Sequence, residues 1–223
     1  MRLAMICKAE TANARYRAIL PMRELQRRGH TVIWQEHPSF ATLDAGGVPS
    51  WDLLHIQQLI GPGDLEKVRH LRANGIAVTW DTDDDITAAP KGSATYKELG
   101  RTRGMRKLWD RTVEMAQASH LLTTTTEHLA QRYREAGVAH VQVIENYLAP
   151  EAVGRPRQRH QGVVIGLVAS DEHHEDLKRL RIADVLGRLL GAHEGVQVIA
   201  LGLDLKLRDH RYLHQAKLPL DQL

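Results

Sequence analysis

Short runs of β-branched and aliphatic residues alternate with amphipathic segments of helical period, and this alternation restricts the chain more than any one motif. Strands are expected at residues 2–7, 31–35, 52–57, 76–80, 120–123 and 141–144. The first helix is expected over 15–28, with Ile19, Met22 and Leu25 on one side and Gly29 as its stop; Pro21 predicts a kink or a late start. A second begins at Asp64 as its cap, after Gly61-Pro62-Gly63, and ends at Asn74-Gly75. A third spans 105–118, and a fourth follows the capping-box spacing Thr124 to Glu127 and ends at Gly137. Residues 38–49, with Gly46-Gly47, read as a loop.

Parallel strands need crossover helices, so this order predicts an α/β protein whose sheet is covered on both faces. A Pro-, Arg- and Gln-containing stretch at 150–162 then reads as a linker. The pattern restarts with a strand at 163–168, a helix at 174–190 and a strand at 196–201. The expected organisation is a Rossmann-like parallel-sheet domain over 1–150, a linker at 151–162, and a second Rossmann-like domain at 163–223. About sixty residues are roughly half of what a doubly wound domain uses, so the second reads as partial, and the tail 207–223 as a polar connection.

Composition bounds the function classes. Of 223 residues, 43% are hydrophobic, enough for a sizeable core, which argues against global disorder. No apolar run reaches the roughly 18 residues of a membrane span, and the apolar stretch within residues 1–8 is shorter than a signal peptide's. A single cysteine forbids an intrachain disulfide and a Cys-rich zinc site, so a reducing cytoplasm is the expected setting. Thirty Lys and Arg against 27 Asp and Glu are interleaved rather than clustered. Arg101, Arg103, Arg106 and Lys107, and Arg155, Arg157, Arg159 and His160, read as solvated surface and linker before they read as a nucleic-acid patch.

The acidic run Asp81-Thr82-Asp83-Asp84-Asp85 follows the fourth strand, where open α/β sheets place ligands. It admits four readings. An Asp-x-Asp pair can hold magnesium or manganese against a nucleotide-sugar diphosphate. The pair Asp81 and Asp83 can serve a phosphatase of the haloacid-dehalogenase type, although Asp85 stands where that type wants Thr or Val and the pair follows the wrong strand. The carboxylates can line a polar cleft, or they can simply cap the next segment in solvent.

Arg15-Tyr16-Arg17 at a helix start forms a candidate anion site, since helix N-termini and guanidinium groups both suit phosphate. The preceding loop, 8–13, has no glycine, so a dinucleotide fingerprint is absent, as is a Walker loop. In the segment 170–176, His173 and Asp176 share a helix face but lack the further ligands zinc needs. No Gly-x-Ser-x-Gly elbow is present.

Taken in order, the segments resemble the GT-B glycosyltransferases of the family 4 type. The entry Ala14-Arg15-Tyr16-Arg17, then Leu25 and Gly29-His30-Thr31-Val32, is similar to that family's opening. Leu71-Arg72, Gly75-Ile76 and Trp80 to Asp85 resemble the "D.DDD" segment of a bacterial and phage subgroup. Leu122 to Leu129 resembles its Thr-rich turn, and Val143-Ile144-Glu145-Asn146 its "viPN", with Glu145 in place of proline. Ile165-Gly166, Ser170, His173 and Asp176-Leu177 resemble the start of its donor domain.

The resemblance implies sugar transfer from a nucleotide-diphosphate-sugar donor, without a required metal or other cofactor. It implies an acceptor-side first domain and a donor-side second. Arg15 and Arg17, with Gly166, Ser170 and His173, would meet donor or phosphates. Asp81, Asp83, Asp84, Glu127 and Asn146 would line the cleft, with Asp83 and His173 the catalytic candidates. The family's later donor-domain segment, with its paired Glu residues, would lie beyond Leu223. The chain is therefore expected to be C-terminally truncated, and a second polypeptide or another copy could complete it. The resemblance leaves the acceptor open, nucleic acid included. The rival from another class is a non-catalytic nucleotide- or nucleic-acid-binding module, or half of a split enzyme.

Overall fold

The computed structural model describes residues 1–7, 11–35, 51–58, 61, 63–89, 91, 96–97, 101–146, 160–170 and 173–216. The loop expected at 38–49, the linker at 151–159, Asp171 and Glu172 and the residues after 216 lie outside them. The chain divides into two compact units, one of Met1–Thr87 with Arg106–Gly154, the other of Ala88–Met105 with Arg155–Leu223. Among the described residues no helix is long and apolar enough to cross a membrane.

The first unit is built on six strands: β1 (Arg2–Ile6), β2 (Thr31–Gln35), β3 (Leu53–Gln57), β4 (Ala77–Thr82), β5 (Leu121–Thr124) and β6 (Val141–Val143). They form one all-parallel sheet in the order β2-β1-β3-β4-β5-β6. Side chains alternate between its faces. One face carries Ala4, Ile6, Leu54, Ile56, Val78, Trp80 and Leu122. These pack beneath α3 (Asp64–Ala73), α4 (Arg101–Ala118) and α5 (Glu127–Glu135), which supply Val68, Leu71, Met115, Leu129 and Tyr133. On the other face, Met5 and Cys7 of the β1 segment pack with Ala14, Ala18 and Met22 of the first helix. The order explains this division. The chain crosses from β1 to β2 in one direction and from β3 through β6 in the other, and crossovers of constant hand then put their helices on opposite faces.

The first helix departs from expectation in a way that matters for the site. It starts at Ala12, earlier than expected, and runs without a break to Arg27 as α1 (Ala12–Ala14), a π-helical turn (Arg15–Ile19) and α2 (Leu20–Arg27). In an α ladder residue 21 would donate to the carbonyl of residue 17, and Pro21 has no N–H to give. The wider turn, in which the Leu20 N–H reaches the Arg15 carbonyl, comes directly before it. The helix thus absorbs its proline with neither a late start nor a stop.

Two expected caps are corrected. Asp64 is not the N-cap of α3. That position is Gly63, whose φ of +81° is left-handed and suits glycine. Asp64 begins the helix and its carboxylate accepts from the Gly61 N–H. The Thr124–Glu127 capping box does not form either. Thr124 ends β5, and Thr126 caps α5 by accepting from the Leu129 N–H at 3.2 Å, a contact worth about 1 kcal/mol in helices generally.

The second unit holds three parallel strands, β7 (Val163–Ala169), β8 (Val196–Gly202) and β9 (Tyr212–Gln215), in that order. The helix expected over 174–190 is two, α6 (His174–Arg179) and α7 (Ile182–Ala192), divided where Arg181 takes a left-handed φ of 54°. Leu186 and Leu190 of α7 pack on Val198 of β8. The connection expected from residue 207 onward contains β9. Both sheets, with their helices, are of the GT-B-like Rossmann type.

Candidate functional site

In the first unit the carboxyl ends of the strands gather the polar residues. Parallel register places Gln57 beside Asp81 and Asp81 beside Thr123, all on the face that the first helix packs against. The π-turn aims Arg17 at this row. Its guanidinium donates to Asp81 through Nε at 3.1 Å and Nη2 at 2.5 Å, a two-pronged pair whose side chains are 3% and 1% exposed. The Thr123 hydroxyl donates to the same carboxylate at 2.5 Å. The remaining Arg17 nitrogen, Nη1, donates to the Ile144 carbonyl and to Asn146 Oδ1. A charged pair this deep is tolerated only when most of its donors and acceptors are matched, and here they are matched by β4, β5, the segment after β6 and the first helix.

This arrangement revises what Arg17 and Asp81 can do. Arg17 has spent its hydrogen bonds inside the protein, so it is not the open anion-binding arginine expected beside Arg15. Arg15 itself is exposed. Both Asp81 oxygens accept from Arg17, and one from Thr123 as well, which suits a structural carboxylate and not a nucleophile that must reach phosphorus. Asn146, expected at the cleft, touches Arg17 instead.

Asp83 lies apart from this pair. Burial, and then the neighbouring Asp84, push its carboxyl up to about 6. Gln58, the residue after β3, turns back at a left-handed φ of 54° and donates through Nε2 to Asp83 Oδ1 and, at 3.3 Å, to Asp84 Oδ2. A non-glycine residue held there stores backbone strain, a feature concentrated at functional sites. Asp84 is exposed, and Glu127 is an exposed residue ion-paired with Arg134. Asp85 takes another course. Burial opposes its ionisation, yet hydrogen bonds from Thr87 and Arg132 outweigh it and hold the carboxyl below its usual value. Arg132 in turn stacks 4.8 Å above the Trp109 ring. The run of four carboxylates therefore splits into one locked residue, two at the rim and one tied to α5.

The sign of the Asp83 shift makes a prediction. A carboxyl that titrates higher folded than unfolded binds more protons in the native state between about pH 4 and 6. Through Asp83, stability therefore falls as pH rises across that window and stays lowered above it. Asp83→Asn should flatten this slope and raise the urea midpoint at pH 8 more than at pH 4.5. An unchanged slope in the variant would rule the shift out.

The sequence reading missed His55. It lies on β3, in register with Thr79, and its Nδ1 is 2.8 Å from the Thr79 hydroxyl. Burial holds the imidazole below the ordinary histidine value, so it is neutral at pH 7. A His in an apolar strand was a weak signal that core packing could equally explain.

In the second unit Gly166 is an exposed mid-strand residue of β7 and Ser170 directly follows that strand. The Ser170 carbonyl accepts from the His173 N–H at 3.0 Å, and His173 is the exposed N-cap of α6. His173 and Ser170 are thus neighbours at the carboxyl end of β7. Among the described residues no three His, Cys, Asp or Glu side chains are grouped to hold a metal ion.

No protein-family model matches the sequence, and no curated protein is significantly similar to it. The solved structure of the glycosyltransferase of kitacinnamycin is similar in fold, with a TM-score of 0.54 over 98% of this chain and 71% of that one, at 13% identity. The chain has a glycosyltransferase-like fold. At such low identity the likeness concerns the backbone, and a shared fold hosts many chemistries.

Proposed function

We propose that the chain belongs to a glycosyltransferase system that uses a nucleotide-diphosphate-sugar donor. The first unit serves the acceptor and the second the donor. The glycosyltransferase-like fold carries this reading. Two arrangements support it. Polar side chains gather at strand carboxyl ends, where α/β sheets place ligands, and His173 with Ser170 occupies the corresponding end of β7.

Roles follow from burial. Arg15, exposed at the π-turn, is the first unit's cation for an anionic group of a ligand, while Arg17 keeps the turn in place through Asp81. Gly166, Ser170 and His173 form the donor side. Asp83, whose carboxyl is raised towards neutrality, is the group best poised to exchange a proton with an acceptor. A departing nucleoside diphosphate builds negative charge, which backbone N–H groups and cations must stabilise.

The test is a thermal-shift series with UDP-, GDP- and TDP-sugars, followed by assay for donor hydrolysis. A donor at one hundred times its Kd stabilises the state that binds it by about 2.7 kcal/mol, a shift of several degrees in a chain of this size. No shift from any donor sinks the reading. A shift without hydrolysis assigns binding and not turnover.

A further inference from the structure

β7 stands at the edge of the second sheet. Among the described residues it pairs with β8 on one side and with no strand on the other. Its sequence, Val-Val-Ile-Gly-Leu-Val-Ala, is apolar throughout, the composition of an interior strand of a parallel sheet and not of an edge. Edges are usually blunted by a charge, a proline, a bulge or short length. β9, at the opposite edge, has four residues and reads Tyr-Leu-His-Gln. β7 runs for seven residues without a charge or a proline. Val168 is 75% exposed, and Val163 is exposed as well.

The open edge presents a defined set of backbone groups. The Val163 N–H donates to the Gly195 carbonyl, just before β8, and the Ala169 carbonyl accepts from the Leu203 N–H, just after it. In a strand the N–H and C=O of one residue point the same way, and successive residues point opposite ways. The groups of Val163, Ile165, Leu167 and Ala169 therefore face β8, and those of Val164, Gly166 and Val168 face outward. Gly166 is the middle residue of the seven. Its φ is not positive, and a Cβ built on it meets nothing within 4 Å, so packing among the described residues does not require a glycine here. A glycine inside a strand often marks the close approach of another backbone. Around it the residues match in pairs: Ile165 with Leu167, Val164 with Val168, and Val163 with Ala169.

We propose that β7 pairs antiparallel with β7 of a second copy of the chain, about a two-fold axis at Gly166. A two-fold interface must be complementary to itself, and this strand is so in side-chain pattern and in hydrogen bonding. Gly166 of one copy exchanges N–H and C=O with Gly166 of the other, and Val164 does the same with Val168 on either side of the axis. The flanking sequence favours this direction. Residues 155–160 hold three arginines and no acid, while 170–176 hold four carboxylates and neither Lys nor Arg. Antiparallel pairing sets the basic flank of each copy against the acidic flank of the other, whereas parallel pairing would set like against like. Assembly stops at two copies, because it consumes the β7 edge and leaves only the short, polar β9. One strand pair is a small interface, so the dimer is reversible, with a Kd in the micromolar range. The proposal concerns the second unit's sheet and stands apart from the transferase reading.

Sedimentation velocity of the full chain, run from low to high micromolar concentration, should show monomer passing into dimer. Val168→Lys puts an ammonium on an exposed position that faces Val164 of the other copy. It should move the transition to at least about tenfold higher concentration, since the charge loses water against a valine. Hydrogen-exchange protection of β8 should be unchanged by it, showing that the sheet is intact. Cysteine cross-linking reads the register. A hydrogen-bonded antiparallel pair holds its Cα atoms about 5.5 Å apart, within disulfide reach, so Gly166→Cys should link to itself on oxidation. Val168→Cys should not link to itself, but should link to Val164→Cys when the two are mixed. The native Cys7 is buried in the first unit and does not compete. A chain that stays monomeric at every concentration overturns the proposal and leaves the edge to a strand of another protein. Association that Val168→Lys leaves unchanged overturns it too, as does self-linking of Val168→Cys as strong as that of Gly166→Cys. If Val168→Lys or Gly166→Cys costs β8 its protection, the mixed linkage of Val164→Cys with Val168→Cys decides.

Discussion

Arg17→Met should remove about 3–5 kcal/mol from the stability of the first unit, the usual cost of stranding one member of a buried ion pair. Asp81 would keep the Thr123 hydroxyl but lose both guanidinium contacts, in a site where its side chain is 1% exposed. The Ile144 carbonyl and Asn146 would lose a donor too, so the segment after β6 should loosen with it. Arg17→Lys should fall between, because an ammonium keeps the charge but not the two-pronged geometry. The double variant Arg17→Met with Asp81→Leu should be less damaging than the sum of the single changes, since neither leaves the other's charge exposed to a dry interior. The readout is unambiguous as to location. All four tryptophans, Trp34, Trp51, Trp80 and Trp109, lie in the first unit, so urea unfolding followed by their fluorescence reports on it alone. A loss below about 1 kcal/mol for Arg17→Met would show that water or rearrangement supplies what the arginine does.

The second large effect belongs to the other unit. Gly202 ends β8 with φ at +92°, and a Cβ built there would stand 2.2 Å from the Ala169 carbonyl oxygen. That oxygen already accepts from the Leu203 N–H at 2.7 Å. The obstacle is backbone, so no side-chain rotation relieves it, and the φ value is itself unfavourable for an L-residue by about 1–2 kcal/mol. Gly202→Ala should therefore cost at least about 3 kcal/mol, within the range of changes that break a special backbone position. Residue-resolved hydrogen exchange should show β7 and β8 losing protection while tryptophan fluorescence stays as before. Gly187→Ala is the matched contrast. It lies in the interior of α7, its added carbon meets nothing within 4 Å, and it should gain up to about 1 kcal/mol from helix propensity. Equal effects from the two substitutions would refute the steric account of Gly202.

Most strands were legible because each is a short β-rich run between turn signals. Residues 2–7 and 163–168, for example, need only local pattern to read. What the sequence hid was long-range pairing. Nothing around Arg17 announces a carboxylate 64 positions later, and the pattern Arg-Tyr-Arg at a helix start suggests an outward cation. The inward turn of Arg17 depends on a π-helical step that helical periodicity, counted at 3.6, cannot register. β9 was missed because Tyr-Leu-His-Gln has too few apolar residues for a strand signal; only Tyr212, whose hydroxyl donates to Asp204 at 2.8 Å, anchors it inward. The break between α6 and α7 falls in a segment of good helix formers and is carried by one left-handed arginine. The Thr-rich turn offered three possible caps, and only geometry distinguishes Thr126 from Thr124. His55 escaped notice for a different reason: its interest comes from the hydrogen-bond partner its Nε2 lacks among the described residues, which no local pattern records.

The alternation along β4 has a consequence for how this protein can change over generations. Val78 and Trp80 face one layer, while Thr79 and Asp81 face the other. A single inserted or deleted residue between Ala77 and Trp80 would exchange the indole and the carboxylate, driving a charge under α3 and α4 and an aromatic ring against a guanidinium. Length variation in descendants of this gene should therefore be confined to the connections, and within the strand only paired losses or gains would leave a viable chain.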